Sequence, residues 1–213
     1  MSPPTPQPPK PLPIIQLNGL PGTGKLTIAR EVLTLLTHHS TTFAPNTPYQ
    51  ASLIHNHLLI NPADAVLHRT QPGYQALRKA LRSAVFSSLI HEPATHSTAY
   101  IFTDWQSGDA TGAAVCAEYQ AMARERGSVF IPVIVTCGLE ENVARLGSKG
   151  REGWGKVTDA GLLARWRGRV DAPAIHLFEG VGERLEVDVT GLSARGAAEV
   201  VVAHVLKYLP VDG

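Results

Sequence analysis

Gly19, Gly24 and Lys25 stand at the spacing G-x-x-x-x-G-K inside the stretch "LNGLPGTGKLT", residues 17–27. Glycines at those points let backbone N–H groups turn inward around phosphate oxygens, and the lysine reaches the terminal phosphates as a mobile point charge. Gly22 adds a further flexible point, so Gly19, Pro21, Gly22, Thr23, Gly24, Lys25, Leu26 and Thr27 form the expected nucleotide-binding set. The position after the lysine departs from the pattern. A Ser or Thr there gives a hydroxyl oxygen to Mg²⁺, and this chain has Leu26. Thr27 lies about 100° further round a helix, so it suits the α-phosphate better than the metal. Mg²⁺ keeps several waters and needs few protein oxygens, so it can still bind if a carboxylate helps from elsewhere. "AYIFTD" offers Asp104 at the exit of a strand-like run, where it can hold Mg²⁺ directly or through water; the plainer reading is an aspartate capping the next turn.

A second group belongs to a phosphoryl acceptor. "LIHNHLLINP" sets His55, Asn56 and His57 just past another strand-like run. A histidine there can accept a hydroxyl proton or hydrogen-bond the acceptor, or strand alternation can leave either one idle. The segment from Tyr74 repeats Leu77, Leu81, Val85 and Leu89 as an apolar stripe, with Arg78 and Arg82 on a neighbouring face. Those arginines either meet an anionic acceptor or are solvated surface charges. "NVARLGSKGREGWGKVTD" places Arg145, Lys149, Arg151 and Lys156 in a glycine-rich span that reads as a lid over about residues 147–157, with Arg151 and Lys156 closing on phosphate.

The elements that position these groups follow from apolar patterning. Runs at Ile14 to Leu17, Ala51 to Ile54, Tyr100 to Phe102, Val129 to Val135 and Leu185 to Val189 read as strands, several of them continuously apolar, as strands buried on both faces are. Between them lie helical patterns with caps expected at Thr158 and Ser193. Strand and helix alternate, which predicts a doubly wound α/β sandwich with ligands at the carboxyl ends of the strands. Residues 14–210 read as one domain behind a tail, residues 1–13, with prolines at 3, 4, 6, 8, 9, 11 and 13.

Composition narrows the function classes. Lysine plus arginine number 19 against 18 for aspartate plus glutamate, so no basic field points to nucleic acid. Cys116 and Cys137 are too few for a disulfide framework and read as reduced thiols of a cytoplasmic protein. No apolar run approaches the roughly 18 residues of a membrane span. The expected partners are ATP, with Mg²⁺, and a small-molecule acceptor.

Taken together, "NGLPGTGKLT", "HNHLLINP", "IFTD", "GKVTD" and "LEVDVTGLSARGAA" resemble the P-loop small-molecule kinases of the nucleoside-monophosphate and shikimate kinase superfamily. They resemble most the branch of bacterial and fungal sequences often labelled AAA-type ATPase or shikimate kinase-like, over essentially Ile14 to Leu209. The resemblance implies a P-loop NTPase three-layer α/β/α sandwich with a five-stranded parallel sheet and a lid. It implies a base-binding role for Arg145, an adenine border at Asp188 to Leu192, and leucine after the loop lysine as a family trait. His55 falls where better-known relatives place an acceptor-binding or basic carboxylate. The base is therefore Asp104 or His55, with Asp104 preferred, and the set expected to act in catalysis is Lys25, Asp104, His55 and Arg151.

Overall fold

The computed structural model describes residues 10–43, 48–147, 159–168 and 173–209. Five strands form one parallel sheet: β1 (Ile14–Asn18), β2 (Gln50–His55), β3 (Thr98–Asp104), β4 (Phe130–Thr136) and β5 (Leu185–Asp188), in the order β2-β3-β1-β4-β5. All five expected strands are present. β1 lies at the centre and every one of its residues is buried, as a strand covered on both faces must be.

Two helical layers cover the sheet. On one face α1 (Lys25–Phe43) and α7 (Ala194–Val205) pack side by side, with Ile28, Val32 and Leu36 of α1 meeting Val201, Val202 and Val205 of α7 over Ile15 and Leu17. The i, i+4 spacing of those α1 residues produces that apolar stripe. Ser193 caps α7 by accepting from the Gly196 N–H at 3.0 Å, as expected. On the other face lie α3 (Tyr74–His91) and α4 (Ala110–Arg126), where Phe86, Phe102 and Tyr119 meet edge to face with centroids 4.8–6.0 Å apart. Two shorter helices, α5 (Leu139–Leu146) and α6 (Ala160–Arg167), stand at the carboxyl end of the sheet. The cap of α6 is Asp159, whose carboxylate accepts from the Gly161 and Leu162 N–H groups; Thr158 lies outside the described residues.

Two features differ from the sequence reading. "HLLINPADAV" is a helix, α2 (His57–Val66), although Pro62 lies inside it. The buried face of α3 is made by Tyr74, Arg82, Phe86 and Leu89, while Leu77, Leu81 and Val85 are only half-buried. Arg82 can belong to that face because its Nε and Nη2 donate to Glu118 Oε2 on α4 at 2.8 and 2.5 Å.

Candidate active site

The phosphate loop leaves β1 at Asn18 and enters α1 at Lys25. Gly22 and Gly24 have φ of 88° and 85°, a region closed to most side chains. Packing makes a second demand at Gly22, where a Cβ would lie 2.5 Å from Asn142 Nδ2 and from Leu146 Cδ1. Helix α5 therefore presses directly on the loop. Asn142 Nδ2 donates to Pro21 O at 2.9 Å, and its Oδ1 accepts from Arg167 Nη1 at 3.0 Å, which ties α6 to the loop through α5. Lys25 Nζ lies over the loop, donating to Gly19 O at 2.5 Å and Leu20 O at 2.7 Å. That arc of carbonyls holds the ammonium at the positive end of α1, where a phosphate would take over as its partner.

Asp104 ends β3 directly beside Asn18, its partner in the parallel register. Its carboxylate is buried, with Oδ1 accepting from the Trp105 N–H at 2.8 Å and Oδ2 from Gln106 Nε2 at 2.6 Å. Each oxygen keeps a lone pair. Asn18 fixes this corner: its Oδ1 accepts from the Gln106 N–H at 2.8 Å and its Nδ2 donates to His176 O at 3.0 Å.

One cavity of about 1030 Å³ connects these groups. This is at the top of the usual range for a small-ligand pocket. The loop and α1 supply Pro21, Gly22, Gly24, Lys25, Leu26 and Thr27, while Thr103, Asp104 and Trp105 supply the floor. Beside α5 the wall is Arg145, Val189, Leu192, Ser193 and Ala194. There Arg145 Nη2 donates to Glu141 and to Val189 O at 3.1 Å, and Glu141 Oε2 accepts from the Gly191 N–H at 2.7 Å. Arg145 and the segment Asp188 to Leu192 are thus knit into one rim. Hydrogen bonds from Thr190 hold the Asp188 carboxyl below its ordinary value.

The opposite wall comes from α2, α3 and the turn between them: Asn56, His57, Ile60, Asp64, Arg69, Thr70, Tyr74, Gln75 and Arg78. Tyr74 is buried, and its hydroxyl donates to Asp64 Oδ1 at 2.5 Å, stapling α3 to α2. The phenol is pushed above its ordinary value, first by burial and then by that hydrogen bond. Arg78, one turn further along α3, lies over the Tyr74 ring at 6.0 Å. Leu162 and Trp166 of α6 close the side near Asp104, where the Trp105 and Trp166 rings are 4.1 Å apart.

Two expected residues are placed otherwise. His55 does not line the cavity; the next residues, Asn56 and His57, do. β2 ends at His55, and the turn into α2 swings its neighbours over the edge. Arg82 is committed to Glu118 on α4, away from the cavity. Arg151 and Lys156 lie outside the described residues. Sequence reasoning missed Asp64, Arg69, Tyr74, Trp166 and Arg30 in the cavity lining and Asn142 behind the loop, which separate elements bring together. Trp105 alone carried a signal, since it follows Asp104 at the strand exit.

For Mg²⁺, the donor set fits: a buried carboxylate with open lone pairs faces the cavity beside the phosphate loop. Asp104 would supply the protein oxygen, and Leu26 has none to give. Among the described residues no group of three or more His, Cys, Asp or Glu could hold a metal alone.

No family model matches this chain, and no curated protein matches it. Solved structures do. A sugar kinase from Janibacter is similar over 93% of this chain and 94% of its own, with TM-score 0.54 and 17% identity. The Mycobacterium tuberculosis APS kinase CysC, solved with AMPPNP and APS, is similar over 93% of this chain and 99% of its own, with TM-score 0.56 and 18% identity. Chaetomium thermophilum Kti12, solved with ADP-AlF3, is similar over 93% and 100%, with TM-score 0.54 and 14% identity. With its five parallel strands, its glycine loop running into α1 and these neighbours, the chain has the fold of the P-loop small-molecule kinases.

Proposed function

We propose that the protein transfers the γ-phosphoryl group of ATP to a hydroxyl of a small molecule. One observation carries this reading: the phosphate loop, Asp104 and the α2–α3 wall border a single cavity. The adenine rests on the rim of Arg145, Val189 and Leu192, and the phosphates lie over the loop with Lys25 turning from Gly19 O and Leu20 O to the β- and γ-oxygens. Bound Mg²⁺ neutralises phosphate charge. The acceptor hydroxyl faces Asp104, and His57 rather than His55 hydrogen-bonds it from α2. The bond from the γ-phosphorus to the β–γ bridging oxygen breaks, leaving ADP. A bond forms from that phosphorus to the acceptor oxygen, and the hydroxyl proton passes to Asp104 and then to solvent. A loose transition state demands little of the base, so positioning and charge carry most of the rate. Arg151 and Lys156 add positive charge around the transferring group.

ADP release in the presence of sugars, nucleosides, shikimate and aminoglycosides tests the reading. An acceptor that raises release over the protein alone, with Asp104→Asn removing the gain, supports it. Release that no acceptor stimulates sinks it.

Leu26 favours a second reading, a nucleotide-binding module or simple ATPase with weakened metal binding. Leu26→Ser separates the two: it is expected to tighten apparent Mg²⁺ affinity. Under the kinase reading the wild type already turns over its acceptor; under the second, turnover appears only with the added hydroxyl, or never.

A further inference from the structure

Arg145 lines the nucleotide end of the cavity, yet its terminal nitrogens are turned back into the protein. Nη2 donates to Glu141 Oε1, to Val189 O at 3.1 Å and to Leu192 O at 3.4 Å, and Nη1 reaches Thr23 O on the phosphate loop at 3.5 Å. An ordinary i, i+4 pair would need one oxygen of Glu141. The second is also used: Oε2 accepts from the Gly191 N–H at 2.7 Å, 50 positions along the chain. The remaining N–H groups of that segment are spent as well, Val189 N on Thr136 O at 2.9 Å, Thr190 N on Asp188 Oδ1 at 2.9 Å and Leu192 N on Val189 O at 3.2 Å. Carbonyls are in better supply, since among the described residues Thr190 O and Gly191 O accept no hydrogen bond. From Val189 to Leu192 the rim can accept from a base, but its backbone donors are already taken. Purines differ at this point. On the edge that carries N7, adenine sets an amino donor at the six-position and guanine a carbonyl, so guanine presents two acceptors side by side, the pair that an open arginine fork reads.

We propose that Glu141 is a positioning residue that decides which purine the protein accepts. By holding the Arg145 fork and the Gly191 N–H, it turns acceptors alone toward the six-position of the base. That suits the adenine amino group and leaves the carbonyl of a 6-oxo purine without a donor. The inference rests on the nucleotide lying as the proposed function places it, with its base on the rim and its N7 edge turned to Arg145. A polar group buried unpaired costs binding far more than a missing contact does, so discrimination comes from donors withheld rather than from donors supplied. Glu141 does not touch the base. It acts through Arg145 and through the turn at Gly191.

Calorimetry on the full chain with Mg²⁺ compares ADP, IDP, GDP and inorganic pyrophosphate. IDP exchanges the amino group of adenine for a carbonyl, GDP adds a second amino group, and pyrophosphate reads the phosphate loop with no base attached. ADP is expected to bind about tenfold or more tighter than IDP and GDP. Glu141→Ala releases the Arg145 fork to the O6 and N7 acceptors and narrows that gap to about threefold or less, while pyrophosphate binds as before. Glu141→Gln, which keeps the volume of the side chain and one acceptor, narrows it in part and carries the test if Glu141→Ala does not fold. No preference for ADP in the parent, a preference that the substitutions leave intact, or an equal loss for all three nucleotides overturns the proposal, the last because it makes Glu141 a structural residue only. ADP release keeps the two readings apart. A protein that selects ADP but phosphorylates no acceptor sinks phosphotransfer and leaves the base selection standing. An acceptor phosphorylated from GTP as readily as from ATP does the reverse.

Discussion

The two walls of the cavity are built to different rules. Beside β4 and β5, nearly every polar group is spent inside the protein: Arg145 on Glu141 and Val189 O, Glu141 on Gly191 N, and Asn142 on Pro21 O. Beside β2 and β3, Arg78, His57 and Gln75 face the cavity with much of their hydrogen-bonding capacity open. A wall that binds the constant ligand, the nucleotide, can be pre-formed, because satisfied groups cost little to hold in place. Under the proposed function, the wall that selects the acceptor keeps its donors for the ligand.

The comparison can be broken at four points. Lys25→Ala acts where the walls meet and has the largest expected effect. Losing the charged contact to phosphate costs about 2–5 kcal/mol of ATP binding, and calorimetry on the folded variant measures it. Unchanged ATP affinity would remove the phosphate site. Next, Arg82→Ala takes away the buried partner of Glu118 and leaves it only Lys79 at 3.5 Å, and is expected to lower stability by about 1–3 kcal/mol, read by urea denaturation, whereas Arg78→Ala one turn earlier should stay within about 0.5 kcal/mol of the parent. Equal losses would mean that Arg78 belongs to the fold.

Arg145→Ala, on the satisfied side, should lower both stability, by about 1–3 kcal/mol, and ATP affinity. Loss of affinity with an unchanged urea midpoint would show that the rim is not pre-formed. The smallest effect is electrostatic. Burial pushes the His176 imidazole below its ordinary value, with Glu179 partly offsetting it. The unfolded chain then takes the proton first, so the stabilising contribution is present above about pH 6.5 and is lost as pH falls through the lower folded value. His176→Gln should flatten that acid limb in denaturation series run from about pH 7.5 to about pH 5; a limb of unchanged slope assigns it to other groups.

What was legible in the sequence and what was not also divides along these walls. The phosphate loop is contiguous, so its glycines and lysine announce themselves, and Asp104 follows from its place at the exit of a strand. The three central strands, β1, β3 and β4, were readable because both of their faces are covered, which leaves long apolar runs such as "FIPVIV". The acceptor wall is assembled from pieces. Helix α2 was hidden by Pro62 and by an entry at Asn56 without a side-chain cap, so the usual start signal is missing. Arg82 looked like a partner of Arg78 because helical spacing sets them near one another. Only Glu118, 36 positions away and on another helix, decides that it turns inward. The staple of Tyr74 on Asp64 had no sequence signature at all.

Asn18 has a consequence for the order in which the molecule is made. Its amide reaches Gln106 O, 88 positions along the chain, and His176 O, 158 positions along. Contacts so distant in sequence pay their loop-closure entropy late, after local helices and neighbouring strand pairs have formed. The corner that sets Asp104 beside the phosphate loop is therefore expected among the last parts to settle. During refolding, nucleotide binding should return after the sheet has buried its core, and a chain still emerging from synthesis holds the Asp104 corner open until the segment around His176 arrives.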